Sequence, residues 1–349
     1  MCSCPCASAS LRWTTTVLTL AGPRQRSSSL NYAQTSSRQA GTREWRVVHI
    51  HVPHSLHTPF LCDVVDPLLR AEGLRDDFFF LRYWQGGPHL RLRMRCGPGA
   101  GSAEAAERVV AGLAGAMPEF GAEAREEYAL GLTMQDELAR LEGEIPREGR
   151  PVGALDRVPY EPEYRKYGGP EGVEIAETVF RKSSAAVLDL LGRQPRAWVE
   201  ERRAPIGEAA RVMAMSLHGA GFDPEAAALF LRDYEDWWRT YAPEVMQRAW
   251  PQLYSSASSR LAKLCTAIWR GGATDDVFHE ISAEATAHAR SLCGAEPDGD
   301  ARDLRLDGTP YSGCLSNYVH TTNNRLGLVP AAEGLVAYLV RRALAELPE

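Results

Sequence analysis

The chain is predicted to be α+β: a ferredoxin-like βαββαβ layer followed by a mainly helical region. Three observations lead there. Residues Trp45–Val52 (WRVVHIHV) alternate with period two, so Val48, Ile50 and Val52 share one face and Val47, His49 and His51 the other. Asp77–Trp84 (DFFFLRYW) and His89–Arg95 (HLRLRMR) read as paired strands across a Gln85-Gly86-Gly87-Pro88 turn. Beyond residue 170, apolar residues recur at helical spacing almost to the C-terminus.

The layer's other elements follow from the same rules. Residues 58–72 carry helical spacing, with Pro67 expected to kink or break it. Residues 102–117 read as a helix, and 123–130 (EAREEYAL) as the fourth strand, which closes the βαββαβ order at residue 130. From 131 to 349 the reading is mainly helical. Pro170 suits a first helical position for the run 171–192, and Asp223-Pro224 opens another helix that ends near Pro243. Further helical patterns cover about 204–219, 244–270, 275–294, 311–323 and 330–346, with a polar loop at 294–310. No repeat of solenoid length is present, and no linker separates the two regions.

Composition removes several classes of function. Of 349 residues, 39 are Lys or Arg and 45 Asp or Glu, a balance that argues against nucleic-acid binding. No run of 18 apolar residues exists, so no membrane span is expected. Residues 1–43 hold Arg12, Arg24, Arg26, Arg38 and Arg43 and no acid, so the remaining chain carries −11 of a net −6. We read 1–43 as a disordered tail. Its Arg- and Ser-rich composition also suits a transit peptide. Cys2, Cys4 and Cys6 lack the matching second set of a zinc site, and the other five cysteines are scattered, which suits a reducing cytoplasm.

Four clusters could carry chemistry. His89, Arg91, Arg93 and Arg95 share one strand face opposite Leu90, Leu92 and Met94. Guanidinium groups in such a row either grip an anionic substrate group or pair with the protein's own carboxylates. In YSGCLSNYVHTTNNRL (311–326), helical geometry aligns Ser312, Ser316, His320 and Asn324 in steps of four. Ser316 then falls within reach of His320, which leaves a serine nucleophile, a general acid/base histidine or an ordinary helix histidine open, and no carboxylate is in place to orient His320. Tyr318 sits about 200° around the helix from His320, so one substrate meets both only if the helix bends. His49, His51, His54 and His57 form a third group without the spacing of a metal site, so no metal is assigned. In YEPEYRKYGG (160–169), the glycines before a helix either cradle an anion or form a tight turn.

Three of these segments, FFFLRYWQGGPHLRLRM (78–94), YEPEYRKYGG (160–169) and HTTNNRLG (320–327), occur in an order that resembles the C-terminal domain of lanthipeptide dehydratases, also found as separate enzymes of thiopeptide biosynthesis. The resemblance runs from about Trp45 to the C-terminus. It implies an enzyme with no metal or organic cofactor that acts on a ribosomally made precursor peptide with a leader and a Ser/Cys-rich core. A homodimer and contacts with other maturation enzymes stay open. One activity of the family eliminates glutamate from glutamylated Ser or Thr, leaving dehydroalanine or dehydrobutyrine. The other joins two dehydroalanines by a formal aza-[4+2] cycloaddition and expels water and the leader to give a pyridine.

The eliminase pattern matches Arg91, Arg93 and His320. Where it has an arginine directly before Tyr-Gly-Gly, this chain has Lys166, with Arg165 one step away. The Gln-Gly-Gly-Pro turn, VVHIHV and HTTNNRLG look closer to the stand-alone pyridine synthases. The resemblance therefore implies His320 as acid/base, Tyr318, Ser312 and Ser316 as hydrogen-bond donors, and Arg91, Arg93, His89, Arg165 and Lys166 as substrate-binding residues. A non-catalytic subunit that presents the precursor peptide is the reading from a different class.

Overall fold

The computed structural model describes residues 44–97, 100–194, 205–272, 274–296 and 299–347. The predicted tail, with Cys2, Cys4 and Cys6, lies outside them. Strand β1 (Glu44–Ile50) is followed by α1 (His54–Phe60), a π turn (Leu61–Val65) and α2 (Asp66–Ala71). Pro67 does not break this stretch. It stands in the first turn of α2, where its missing N–H costs nothing, and the π turn absorbs the mismatch upstream. Strands β2 (Phe78–Tyr83) and β3 (His89–Cys96) form the expected hairpin, with Tyr83 opposite His89 and Phe78 opposite Met94.

The fourth strand is not at 123–130. That segment has no β-branched residue, and its alanines and glutamates continue into α4 (Ala122–Glu142), after α3 (Ala100–Gly115). Strand β4 is Leu155–Val158, four residues too short to show alternation in sequence. The α+β layer therefore reaches residue 158, past the expected boundary at 130. The sheet order β2-β3-β1-β4, antiparallel throughout, is the ferredoxin-like order.

One face of the sheet is apolar. Leu90, Leu92 and Met94 pair with Phe78, Phe80, Val48 and Ile50, all essentially excluded from solvent, and α1 and α3 pack on these strands. Each such side chain contributes about 1.5–3 kcal/mol on burial.

The helical region comprises α5 (Tyr164–Tyr167), α6 (Gly169–Gly192), α7 (Ile206–Gly219), α8 (Pro224–Arg239), α9 (Glu244–Gln247), α10 (Trp250–Trp269), α11 (Val277–Cys293), α12 (Tyr311–Leu326) and α13 (Pro330–Ala345). The expected 244–270 helix is two helices, because Pro251 opens α10. Within the 294–310 segment, Arg305–Leu306 and Thr309–Pro310 (β5 and β6) pair as a small hairpin. Gly168 and Gly169 hold positive φ, and a Cβ at Gly168 would meet the Leu306 carbonyl oxygen at 2.4 Å, so the pair serves close packing here.

The helices join the sheet along the free edge of β2. The Asn324 amide brackets Arg82, its Oδ1 accepting from the backbone N–H (2.8 Å) and its Nδ2 donating to the carbonyl (2.9 Å). Arg325 Nε donates to the Phe80 carbonyl (2.9 Å), and the Phe80 N–H donates to Ser184 Oγ (3.3 Å). Side chains thus occupy the hydrogen-bonding positions that an edge strand otherwise leaves open. Arg325 is fully buried, and burial pushes its guanidinium down to about 9. The Phe80 carbonyl, Ser183 Oγ and the face of Phe180 offset that cost.

Candidate functional site

The second face of the sheet carries the polar row. Arg95 behaves as an ordinary paired residue, donating to Asp77 Oδ1. Arg91 and Arg93 do not: neither forms an ion pair with a carboxylate among the described residues. Arg91 lies over the Tyr83 ring, 3.3 Å from its centroid, and donates from Nε to His89 Nε2 (3.2 Å). Arg93 lies between the rings of Phe79 and Tyr160, and its Nε has no hydrogen-bond partner among the described residues. Burial lowers both guanidinium groups, Arg91 to about 10. An unpaired, partly desolvated guanidinium is costly, so this arrangement favours an arriving anion.

Register adds what the sequence alone did not place. Because β1 lies beside β3, His49 and His51 stack on His89, with ring centroids 4.7 and 4.8 Å away. His51 meets Tyr128 Oη and Asp156, and His89 Nδ1 meets the Gly87 carbonyl. Burial, then Arg91 and Arg93, push His49 down to about 3; burial also lowers His51 and His89. These imidazoles therefore add no positive charge to the two arginines near neutral pH. His57 belongs elsewhere: it is buried in α1 and bonds the Val52 carbonyl.

The second constellation centres on α12. His320 is a quarter exposed, and its ring stacks on Trp238 of α8 at 4.4 Å. Its Nδ1 lies 2.8 Å from Oε1 of Glu333, a buried carboxylate in the first turn of α13. Sequence reading placed no carboxylate beside His320. The structure supplies one because only Gly327-Leu328-Val329 separate α12 from α13, which keeps the start of one helix beside the end of the other. Ser312 and Ser316 are half-buried, and neither bonds His320; the Ser–His nucleophile pair is replaced by this His–Glu pair.

Tyr318 is not beside His320 either. The helix runs unbroken through both, so the 200° separation stands. Tyr318 instead stacks on Tyr167 at 5.9 Å and lines an interior cavity with Ser183, Ser282 and Thr322. Its hydroxyl is buried without a partner among the described residues, and burial pushes it well above the ordinary tyrosine range. Arg165 is exposed, whereas Lys166 lies 3.7 Å from Glu163 and over the Tyr167 ring.

Strand β2 lies between the two constellations in the chain of contacts. His320 stands one turn before Asn324, which brackets Arg82, and β2 pairs with β3, which bears Arg91 and Arg93. No hydrogen bond or ring contact joins the two constellations directly among the described residues.

A ferredoxin-like layer with an arginine-bearing face, docked on helices that hold a carboxylate-bound histidine, describes a class of helical-flanked α+β proteins. Residues 45–344 match the family model of the lantibiotic biosynthesis dehydratase C-terminal domain, and the chain belongs to that family. Among solved structures it is similar to TbtD, the pyridine synthase from thiomuracin biosynthesis (19% identity, TM-score 0.63, covering 86% of this chain and 98% of that one). It is similar to MibB, the tRNA-dependent lantibiotic dehydratase from Microbispora sp. 107891 (22%, 0.53, 89% and 28%), and to TsrL (20%, 0.53, 87% and 95%). No curated protein matches the sequence.

Proposed function

We propose that this chain is a pyridine-forming cyclase that acts on a dehydrated ribosomal precursor peptide. The carrying observation is His320, which reaches a buried carboxylate through Nδ1 while Nε2 has no partner among the described residues. That is the arrangement of a general acid/base. In this reading one backbone amide of the substrate tautomerises to an iminol, giving a 2-azadiene that adds to a second dehydroalanine. Holding both alkenes in one folded loop removes much of the entropic cost. His320 then moves the proton between the amide nitrogen and oxygen, and protonates the groups lost as water and leader. Arg91 and Arg93 hold an acidic or carbonyl-rich stretch of the peptide. Lys166 at the position before Tyr-Gly-Gly, and a likeness to TbtD over 98% of that protein's length, support cyclisation over elimination.

Glutamate elimination is the second reading. The two unpaired guanidinium groups favour it, since they suit a glutamyl carboxylate. A single assay offers the protein a peptide with two dehydroalanines and a leader beside a glutamylated peptide. Release of leader and water supports the cyclase, and loss of glutamate from the second substrate replaces it with the eliminase. Binding without any mass change refutes both.

A further inference from the structure

The geometry points to Glu333 and Tyr234 as positioning residues that hold His320 in its Nδ1–H tautomer, so that Nε2 presents the lone pair. This deepens the reading of His320 as acid/base and rests on it. Glu333 Oε1 faces His320 Nδ1 at 2.8 Å. Its other oxygen accepts from the Tyr234 hydroxyl, and Asn323 Nδ2 approaches it at 3.4 Å. Tyr234 is buried, and desolvation, then Glu333, drive its hydroxyl well above the ordinary range, so it is a donor.

A carboxylate only accepts hydrogen bonds. With Tyr234 and Asn323 directed at Oε2, Oε1 is left for the ring, and the nitrogen facing it must carry the proton. Glu333 forms no ion pair with Lys or Arg among the described residues; His320 is the basic group it meets. The start of α13 further favours negative charge there. Gly334 makes the approach feasible: a Cβ at that position would lie 3.1 Å from the Arg239 backbone nitrogen, so glycine lets α13 close onto α8, which carries Tyr234 and Trp238. Trp238, stacked on the ring at an interplanar angle of 20°, opposes its rotation about the Nδ1–Glu333 bond.

The test is ring 15N–1H correlation spectroscopy of the full-length protein over a pH series, read where the His320 ring carries a single proton, with its signals assigned by their loss in His320→Gln. Wild-type protein is expected to show protonated Nδ1 and unprotonated Nε2, and the opposite tautomer overturns the proposal without any variant. Glu333→Gln should mix the tautomers and lower kcat by about 10²-fold, within the range for an acid/base group, while KM changes little. Tyr234→Phe should keep the tautomer and lower kcat by roughly 3–10-fold, the effect of one lost hydrogen bond. Unchanged tautomer and kcat in Glu333→Gln overturn the assignment. The tautomer is read without substrate, so an inactive wild-type protein refutes the proposed reaction while the spectra still decide the positioning.

Discussion

The sheet face and the α12–α13 corner place charge in partly buried surroundings under opposite rules. On the sheet, Arg91 and Arg93 have aromatic neighbours and no carboxylate partner among the described residues, and burial keeps the adjacent imidazoles neutral. At the corner, one buried carboxylate has no arginine or lysine partner among the described residues and meets a histidine. An unpaired guanidinium gains its partner from outside, whereas a carboxylate-bound imidazole is complete and has one nitrogen left to exchange a proton. On the function proposed above, the difference assigns the first region to binding and the second to proton transfer.

The sharpest way to break this division is at His320. His320→Gln should lower turnover by about 10²–10⁴-fold while the dissociation constant for the precursor peptide stays within about threefold. Comparable losses in turnover and binding would place His320 in the binding surface.

A pair of arginine variants comes next. Arg325 bonds backbone and hydroxyl groups inside the protein, so Arg325→Met should destabilise folding by about 2–4 kcal/mol, as buried acceptors lose their donor. Arg93→Met leaves no carboxylate unpaired. It should weaken peptide binding by about 10–100-fold with an unchanged or raised melting temperature. A lowered melting temperature in Arg93→Met would mean that the sheet face is built for stability.

The smallest effect is pH-dependent. His49, His51 and His89 have folded-state values below 6.5, so below that pH the unfolded chain binds protons that the folded chain does not. Stability should therefore fall as pH drops from 6.5, down towards 3 for His49. Each histidine costs up to about 1.4 kcal/mol per pH unit. Melting curves between pH 7 and 4.5 measure the slope, and His49→Gln should flatten it. An unchanged slope in that variant would remove His49 from the buried stack.

Alternation made the hairpin legible. Leu90, Leu92 and Met94 fall on the buried face and the arginines on the other, because period two is a local property of extended backbone. The family was legible for a similar reason, since its motifs are short and contiguous. The misplaced fourth strand shows the limit: LDRV has too few residues for a period, while the apolar residues of EAREEYAL (Ala124, Tyr128, Ala129 and Leu130) do not alternate and belong to a helix. Glu333 leaves a local trace in the sequence. A glycine stop and a three-residue connection place the first turn of the next helix near the last turns of the previous one.

The sequence by itself determined the α+β class, the face each arginine takes and the helix that carries His320, because all three depend on neighbours within a few residues. Only the tertiary structure decided which charges are paired. Asp77 neutralises Arg95 but no acid among the described residues reaches Arg91, and Glu333 of one helix meets His320 of another. Pairing depends on where distant segments come to rest, and no periodicity along the chain encodes a distance across it.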